Sequence, residues 1–469
     1  MAYNTPGVYV EEPQSLPPSV AGVATAVPAF IGYTQIAKEA VDADLVLKPK
    51  RITSFVDYQT YFGSADPETK ITVNIAPGTD GVLRAKATLN DTDRSPHLMY
   101  YALQLYFANG GGPCYIVSVG TYQALAEGDL EKGLTAIGKE DEPTLIVFPE
   151  AQNLSISDYA TLHTAALQQC AALQDRFVIM DLHGDTVSLS TPNVPAGKTI
   201  LDAVTNFRSH NIGTDDLKYG AVYAPNIETT LDFAYTESAT DVTVGGATKK
   251  MDTLLTSAPP DNLSYQMAKA AINDLSCKMP PAGAMAGIYA AVDNSRGVWK
   301  SPANVGVATA IQPTIPITNS DQDSMNVDPT AGKSVNAIRA FTGLGTLVWG
   351  ARTLAGNDNE WRYINVRRFC IYAEESIRKA TQQFVFEPND ANTWVKVQGM
   401  IENFLTTLWR QGALMGSKAA DAFSVSVGLG KTMSALDVLE GRMIVVIGLC
   451  PVRPAEFIIL RIVQTMPVS

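Results

Sequence analysis

HLMYYALQLYFANGGGPCYIVSV, residues 97–119, sets the reading of the fold. The apolar and aromatic residues of 97–108 form a helix. Asn109-Gly110-Gly111-Gly112 ends it, because glycine readily adopts the left-handed turn that closes a helix, and Pro113 prevents its resumption. Cys114–Val119 then reads as a strand. The same alternation continues downstream, with helices over 122–137, 156–173, 200–209 and 262–275 and strands over 144–148, 177–180 and 219–223. Helical and β runs taken in turn imply a mixed α/β (α+β) fold with a partly parallel sheet.

Outward from this stretch the chain changes character. Residues 1–20 hold Pro6, Pro13, Pro17 and Pro18 around a short β-like run, Gly7–Glu11. Prolines at that density fit neither a helix nor a central strand, so an extended arm at a sheet edge is expected. Residues 21–65 are apolar and β-rich, and 66–95 are polar and read as a loop. Residues 236–260 are rich in Thr, Gly and Asp and read as an exposed ribbon or flexible loop. Further on, strands are expected at 346–349 and 361–365 and long helices at 366–385 and 393–414. Three β runs close the chain, at 422–427, 442–449 and 456–464. Within the last two, Met443–Ile447 and Phe457–Val463 are apolar on both faces apart from Arg461, as strands are when covered on both sides.

Composition excludes several functions. The chain has 469 residues, 46% hydrophobic and 17% charged, enough for a sizeable core. Its net charge of −12 is a poor basis for sequence-independent nucleic-acid binding, so no nucleic-acid partner is expected. The charge is uneven: residues 331–469 carry 15 Lys and Arg against 11 Asp and Glu, a net of +4, while the first 330 carry a net of −16. A basic C-terminal part facing an acidic partner is one reading. The five cysteines lie far apart, as befits reduced, mostly buried thiols in a protein made in the cytoplasm. The four histidines show no metal-ligand spacing. The opening MAYNTPGVYVEEP has neither a basic nor an apolar signal region. The longest apolar runs are about seven residues, far short of the ~20 that span a bilayer, so no membrane insertion is expected. Two GK[ST] triplets, at Gly332-Lys333-Ser334 and Gly430-Lys431-Thr432, lack the earlier glycine of a phosphate loop, Val327 and Val425 standing there instead. No GxSxG elbow exists. Nothing here points to catalysis, and no cofactor is expected.

Thr5-Pro6-Gly7-Val8-Tyr9-Val10-Glu11-Glu12 resembles the opening of contractile phage-tail sheath proteins. Five further blocks are similar to segments of that family in the same order: 109–117, 287–300, 349–354, 361–368 and 451–458. The resemblance implies a structural sheath subunit of a contractile injection system, such as a phage tail, an R-type pyocin or an extracellular phage-tail-like particle. It implies stacked hexameric rings around an inner tube and contraction without ATP. A sheath core would be built from both chain ends, over 21–120 and a tube-facing 283–450, with an outward inserted α/β domain over 121–282. Arms over 1–20 and 451–469 would add strands to neighbouring copies, through Val8, Tyr9, Val10 and Glu11 at one end and Phe457, Ile458, Ile459, Leu460 and Ile462 at the other. Prolines 13, 17, 18, 451 and 454 would bound the hinges. Expected partners are further copies of the chain, the inner tube protein, baseplate and terminal cap proteins, and sister sheath proteins. Lys418, Lys431 and Arg442, in the basic region, are the candidate tube-facing cations. Two alternatives stay open on the residues alone: an α/β enzyme or ligand binder with long tails, and a non-contractile self-assembling shell protein.

Overall fold

The computed structural model describes residues 19–184, 199–210, 212–330 and 332–459. These fall into two compact units, one of residues 24–372 with 453–459, the other of 19–23 with 373–452.

The larger unit is built on a nine-stranded sheet. Its order is Val305–Gly306, Gly345–Val348, Val335–Phe341, Gly220–Ala224, Phe177–Asp181, Leu145–Val147, Pro28–Thr34, Cys114–Thr121, Lys50–Ile52. The six strands from Val335–Phe341 to Cys114–Thr121 run parallel, and antiparallel pairs finish both edges. Every residue of Pro28–Thr34, Phe177–Asp181 and Gly220–Ala224 is buried, as expected for parallel strands covered on both faces. Helices Glu127–Ile137 and Ile156–Leu173 pack together and against the sheet, and so do Met99–Ala108 and Ala282–Arg296. The second pair meets closely because Ala282–Arg296 presents glycines. A Cβ on Gly287 would collide with the Tyr106 carbonyl oxygen, and one on Gly283 would lie 2.7 Å from that of Ala102.

The helix–strand alternation expected from 97 onward is thus present, with ends shifted by a few residues. The central sheet takes strands from 21–120, 121–282 and 283–450 alike. Residues 66–95 are also more ordered than expected. They contain the strands Thr72–Pro77 and Leu83–Thr88, which join Asp241–Val244 and Ala247–Lys250 in a four-stranded sheet. Helices Met251–Thr256 and Asn262–Asn273 cover it around Val73, Ile75, Val242, Met251 and Ile272. Only every second residue of Thr72–Ile75 is apolar, and the pairing partner lies some 170 residues away, so the local sequence carries a weak strand signal. The 236–260 ribbon proves to be a hairpin followed by a helix. No strand forms at 361–365. Arg352 and Tyr363 make an isolated bridge, helix Ile364–Thr381 begins there, and the Trp361 ring instead receives the cations of Lys218 and Arg367 at 4.9 and 4.7 Å.

In the smaller unit, helix Ala391–Arg410 buries Val397, Met400, Ile401, Phe404, Leu405 and Leu408, a single stripe at helical spacing. Asp390 caps its start by accepting from the Thr393 amide at 3.0 Å. The stripe packs on strand Phe423–Val427, which pairs antiparallel with Val445–Leu449.

Candidate assembly surfaces

The sheet of the smaller unit has two strands. Each has one backbone edge with no strand partner among the described residues. A two-stranded ribbon is barely stable by itself and an open edge is a template for another strand. Here the helix stabilises one face, while Val446 on the second strand is 55% exposed. The sequence reading placed both strands but had no means of seeing that both outer edges lack a partner among the described residues, because an edge is defined by what fails to pair with it.

Of the expected arm residues, Val8, Tyr9, Val10, Glu11, Leu460 and Ile462 lie outside the described residues. Phe457, Ile458 and Ile459 are 71%, 79% and 77% exposed. They belong to no strand of their own chain, although the sequence reading put a strand there. Three consecutive exposed apolar side chains are costly unless something covers them.

The three candidate cations are exposed. Lys418 precedes the short helix Ala419–Ala422. Lys431 sits in the tight turn that links Gly428 to Met433. Arg442 is bound within its own unit, donating to Asp437 at 2.8 Å and pairing with Glu440. Ser434, foremost, and Arg442 hold the Asp437 carboxyl below its ordinary pKa. These acids, five and two residues before Arg442, were the signal that its charge is already matched. The other GK[ST] lysine, Lys333, is buried, and its Nζ reaches the Arg208 carbonyl at 3.4 Å.

In open parallel sheets, ligands bind at the carboxyl ends of strands where the connection reverses direction. Here that point lies at Pro28–Thr34, flanked by Cys114–Thr121 on one side and Leu145–Val147 on the other. It is filled. The Glu150 carboxylate accepts from the Tyr33 amide at 3.0 Å and lies so close over Gly32 that a Cβ there would sit 2.8 Å from Glu150 Oε2 and 2.9 Å from Met99 Cε. His97 lies 3.9 Å from Glu150 and stacks on Tyr122 at 4.7 Å. Burial raises the Glu150 pKa to about 8, against the Tyr33, Leu98 and Met99 amides, and lowers that of His97.

The features so far define a class of protein: one α/β unit built on a largely parallel sheet, a second unit with a narrow sheet whose outer edges have no strand partner among the described residues, and an exposed apolar run at 457–459. The family model for the phage tail sheath C-terminal domain matches residues 356–465. The tail sheath protein of Burkholderia phage BcepMu is 31% identical over 145 residues, 30% of each chain. That of Salmonella phage ViI is 27% identical over 34% of this chain and 24% of its own. These alignments thus span less than a third of the phage proteins. Two solved structures match nearly end to end. A chain of the PVC extracellular contractile injection system sheath complex in the contracted state is 31% identical, with 99% of each chain covered and a TM-score of 0.64. A chain of the contracted helical sheath of the anti-feeding prophage is 32% identical, with 99% of this chain and 100% of that one covered and a TM-score of 0.63. The chain belongs to the contractile sheath family, and its role is that of a structural sheath subunit.

Proposed function

We propose that this chain polymerises as stacked hexameric rings around an inner tube and drives that tube forward by contracting. The observation that carries this reading is the end-to-end similarity to chains of contracted sheaths. The open edges of the Phe423–Val427 and Val445–Leu449 ribbon are where neighbouring copies would add strands, supplied by Val8–Glu11 and Phe457–Ile462. Strand addition obtains its affinity from main-chain hydrogen bonds, which survive rotation of the bodies they join if the arm roots bend. Contacts that do not close on themselves produce a helical polymer. The extended sheath would be a metastable state held on the tube, and contraction would release the difference in contact free energy between two packings, with no nucleotide consumed and no catalytic role. Baseplate and terminal cap proteins would bound the polymer, and sister sheath proteins would share it. Lys418 and Lys431 remain the candidate tube contacts, with Arg442 a weaker one because its charge is matched locally. The test is electron microscopy of the full chain expressed with the tube protein from the same source. Hollow striated cylinders of two lengths, long and contracted, are expected. Planar sheets, closed shells or a stable monomer would overturn the reading.

A further inference from the structure

Three of the blocks that resemble sheath segments meet at one buried ion pair. Block 349–354 contributes Arg352, block 361–368 contributes Tyr363, and block 451–458 contributes Glu456. Arg352 is fixed through its own backbone: its amide donates to Asn336 Oδ1 at 2.8 Å, and Asn336 Nδ2 donates back to the Arg352 carbonyl at 2.8 Å. Asn336 lies on the central-sheet strand Val335–Phe341 and also donates to the Val222 carbonyl at 3.1 Å. From this base the guanidinium grips Glu456 bidentately, Nε to Oε1 at 2.9 Å and Nη2 to Oε2 at 2.7 Å. Asn326 Nδ2 donates to Oε1 at 2.7 Å and the Tyr363 hydroxyl to Oε2 at 3.1 Å. Arg352 is 5% exposed and Glu456 20%. Glu456 is thus held between exposed neighbours, Arg453 and Ala455 before it and Phe457, at 71%, after it.

A buried ion pair is a poor device for stability alone, since apolar residues of similar volume often serve as well. What a bidentate arginine fork provides is a fixed direction. We propose that Glu456 is a positioning residue that anchors the C-terminal arm: the chain up to 456 moves with the larger unit, and the strand-donating arm begins at Phe457. This rests on the strand-exchange reading above. It also moves the arm's hinge away from Pro451 and Pro454. Pro451 bridges Leu414 in the smaller unit, and the chain passes into the larger unit at Arg453, so these prolines flank the crossing between units rather than the arm root. The N-terminal end has a counterpart. Arg368, held by Asp293 at 2.6 and 3.0 Å, donates to the Thr25 carbonyl at 2.8 Å, one residue after the chain enters the larger unit.

The test compares the full chain, Glu456→Gln, Glu456→Ala, Gly287→Ala and a chain lacking 457–469, by chymotrypsin cleavage after Phe457, thermal melting, and sheath length in negative stain. For both Glu456 variants the inference expects cleavage after Phe457 to quicken at least tenfold and mean sheath length to fall at least threefold. Melting falls as well, because Arg352 loses its partner, so Gly287→Ala is the control, with lowered melting but natural cleavage and sheath length. Natural cleavage rates in Glu456→Ala would overturn the anchor, as would equal sheath shortening in Gly287→Ala. Wild-type sheaths from the truncated chain would instead refute strand exchange itself, and the anchor would then be judged on the cleavage rates alone.

Discussion

At position 150 a carboxyl group sits where water cannot reach it, accepting from the Tyr33 amide, while its Oε1 has no hydrogen-bond partner among the described residues. Burial raises its pKa from 4.5 to about 8. The folded state therefore holds a proton on Glu150 that the unfolded chain has lost at neutral pH. A raised folded pKa gives a contribution fully present below about pH 4.5 and lost progressively up to about pH 8. Glu150→Gln removes the titration. Its carbonyl can take the Tyr33 amide, and its NH2 faces the unpartnered Nδ1 of His97. Relative to the natural chain, the Gln variant should gain stability as pH rises from 5 to 9, by on the order of 3 kcal/mol. Urea unfolding of the unassembled full chain at the two pH values measures this. Parallel pH profiles for the two chains would show that Glu150 stays ionised in the fold.

Among the elements, the pair Met99–Ala108 and Ala282–Arg296 depends on backbone approach at Gly287. In an open helix interior, Gly→Ala stabilises by up to ~1 kcal/mol. Here the added methyl would meet the Tyr106 carbonyl, so Gly287→Ala should destabilise by roughly 1–3 kcal/mol, as overpacked cores do. The midpoint of chemical unfolding gives the sign directly, and a stabilised variant would mean that the helices separate freely. Elements of this kind were legible from the sequence because helix stops and apolar runs are local, as at Asn109-Gly110 and over 393–414. The strands Thr72–Pro77 and Leu83–Thr88 were not, since the partner of the first, Asp241–Val244, is remote and most of each strand is exposed. Trp361–Tyr363 misled for the opposite reason. Aromatic, β-prone residues there serve cation–π contacts and a single bridge, so the propensity was real but its use was not a ladder.

For the whole molecule, the family and its structural role were readable because six blocks stand in family order, yet the surfaces were read less well. The sequence picked out apolar terminal runs but could not show that Glu456 is gripped, or that the charge of Arg442 is matched at home while Lys418 and Lys431 form no ion pair among the described residues. That difference sharpens two expectations about the polymer. Deleting residues 1–17 should leave a soluble body with an unchanged melting temperature that forms no long sheaths in negative stain, and sheaths of natural length would exclude a role for the N-terminal arm. The tube contact follows different physics. Exposed ion pairs contribute only ~0–1 kcal/mol each and are screened over about 3 Å at 1 M salt, which suits an attachment that must break row by row during contraction. Reversing both lysines, Lys418→Glu with Lys431→Glu, should therefore cut the yield of tube-filled sheaths at least fivefold and leave melting of the isolated chain unchanged. Arg442→Glu should lower melting instead, because it sets a third acid beside Asp437 and Glu440. Natural chains assembled in 1 M salt should reproduce the lysine phenotype. If the double reversal yields tube-filled particles at the natural level, the tube is held by other residues.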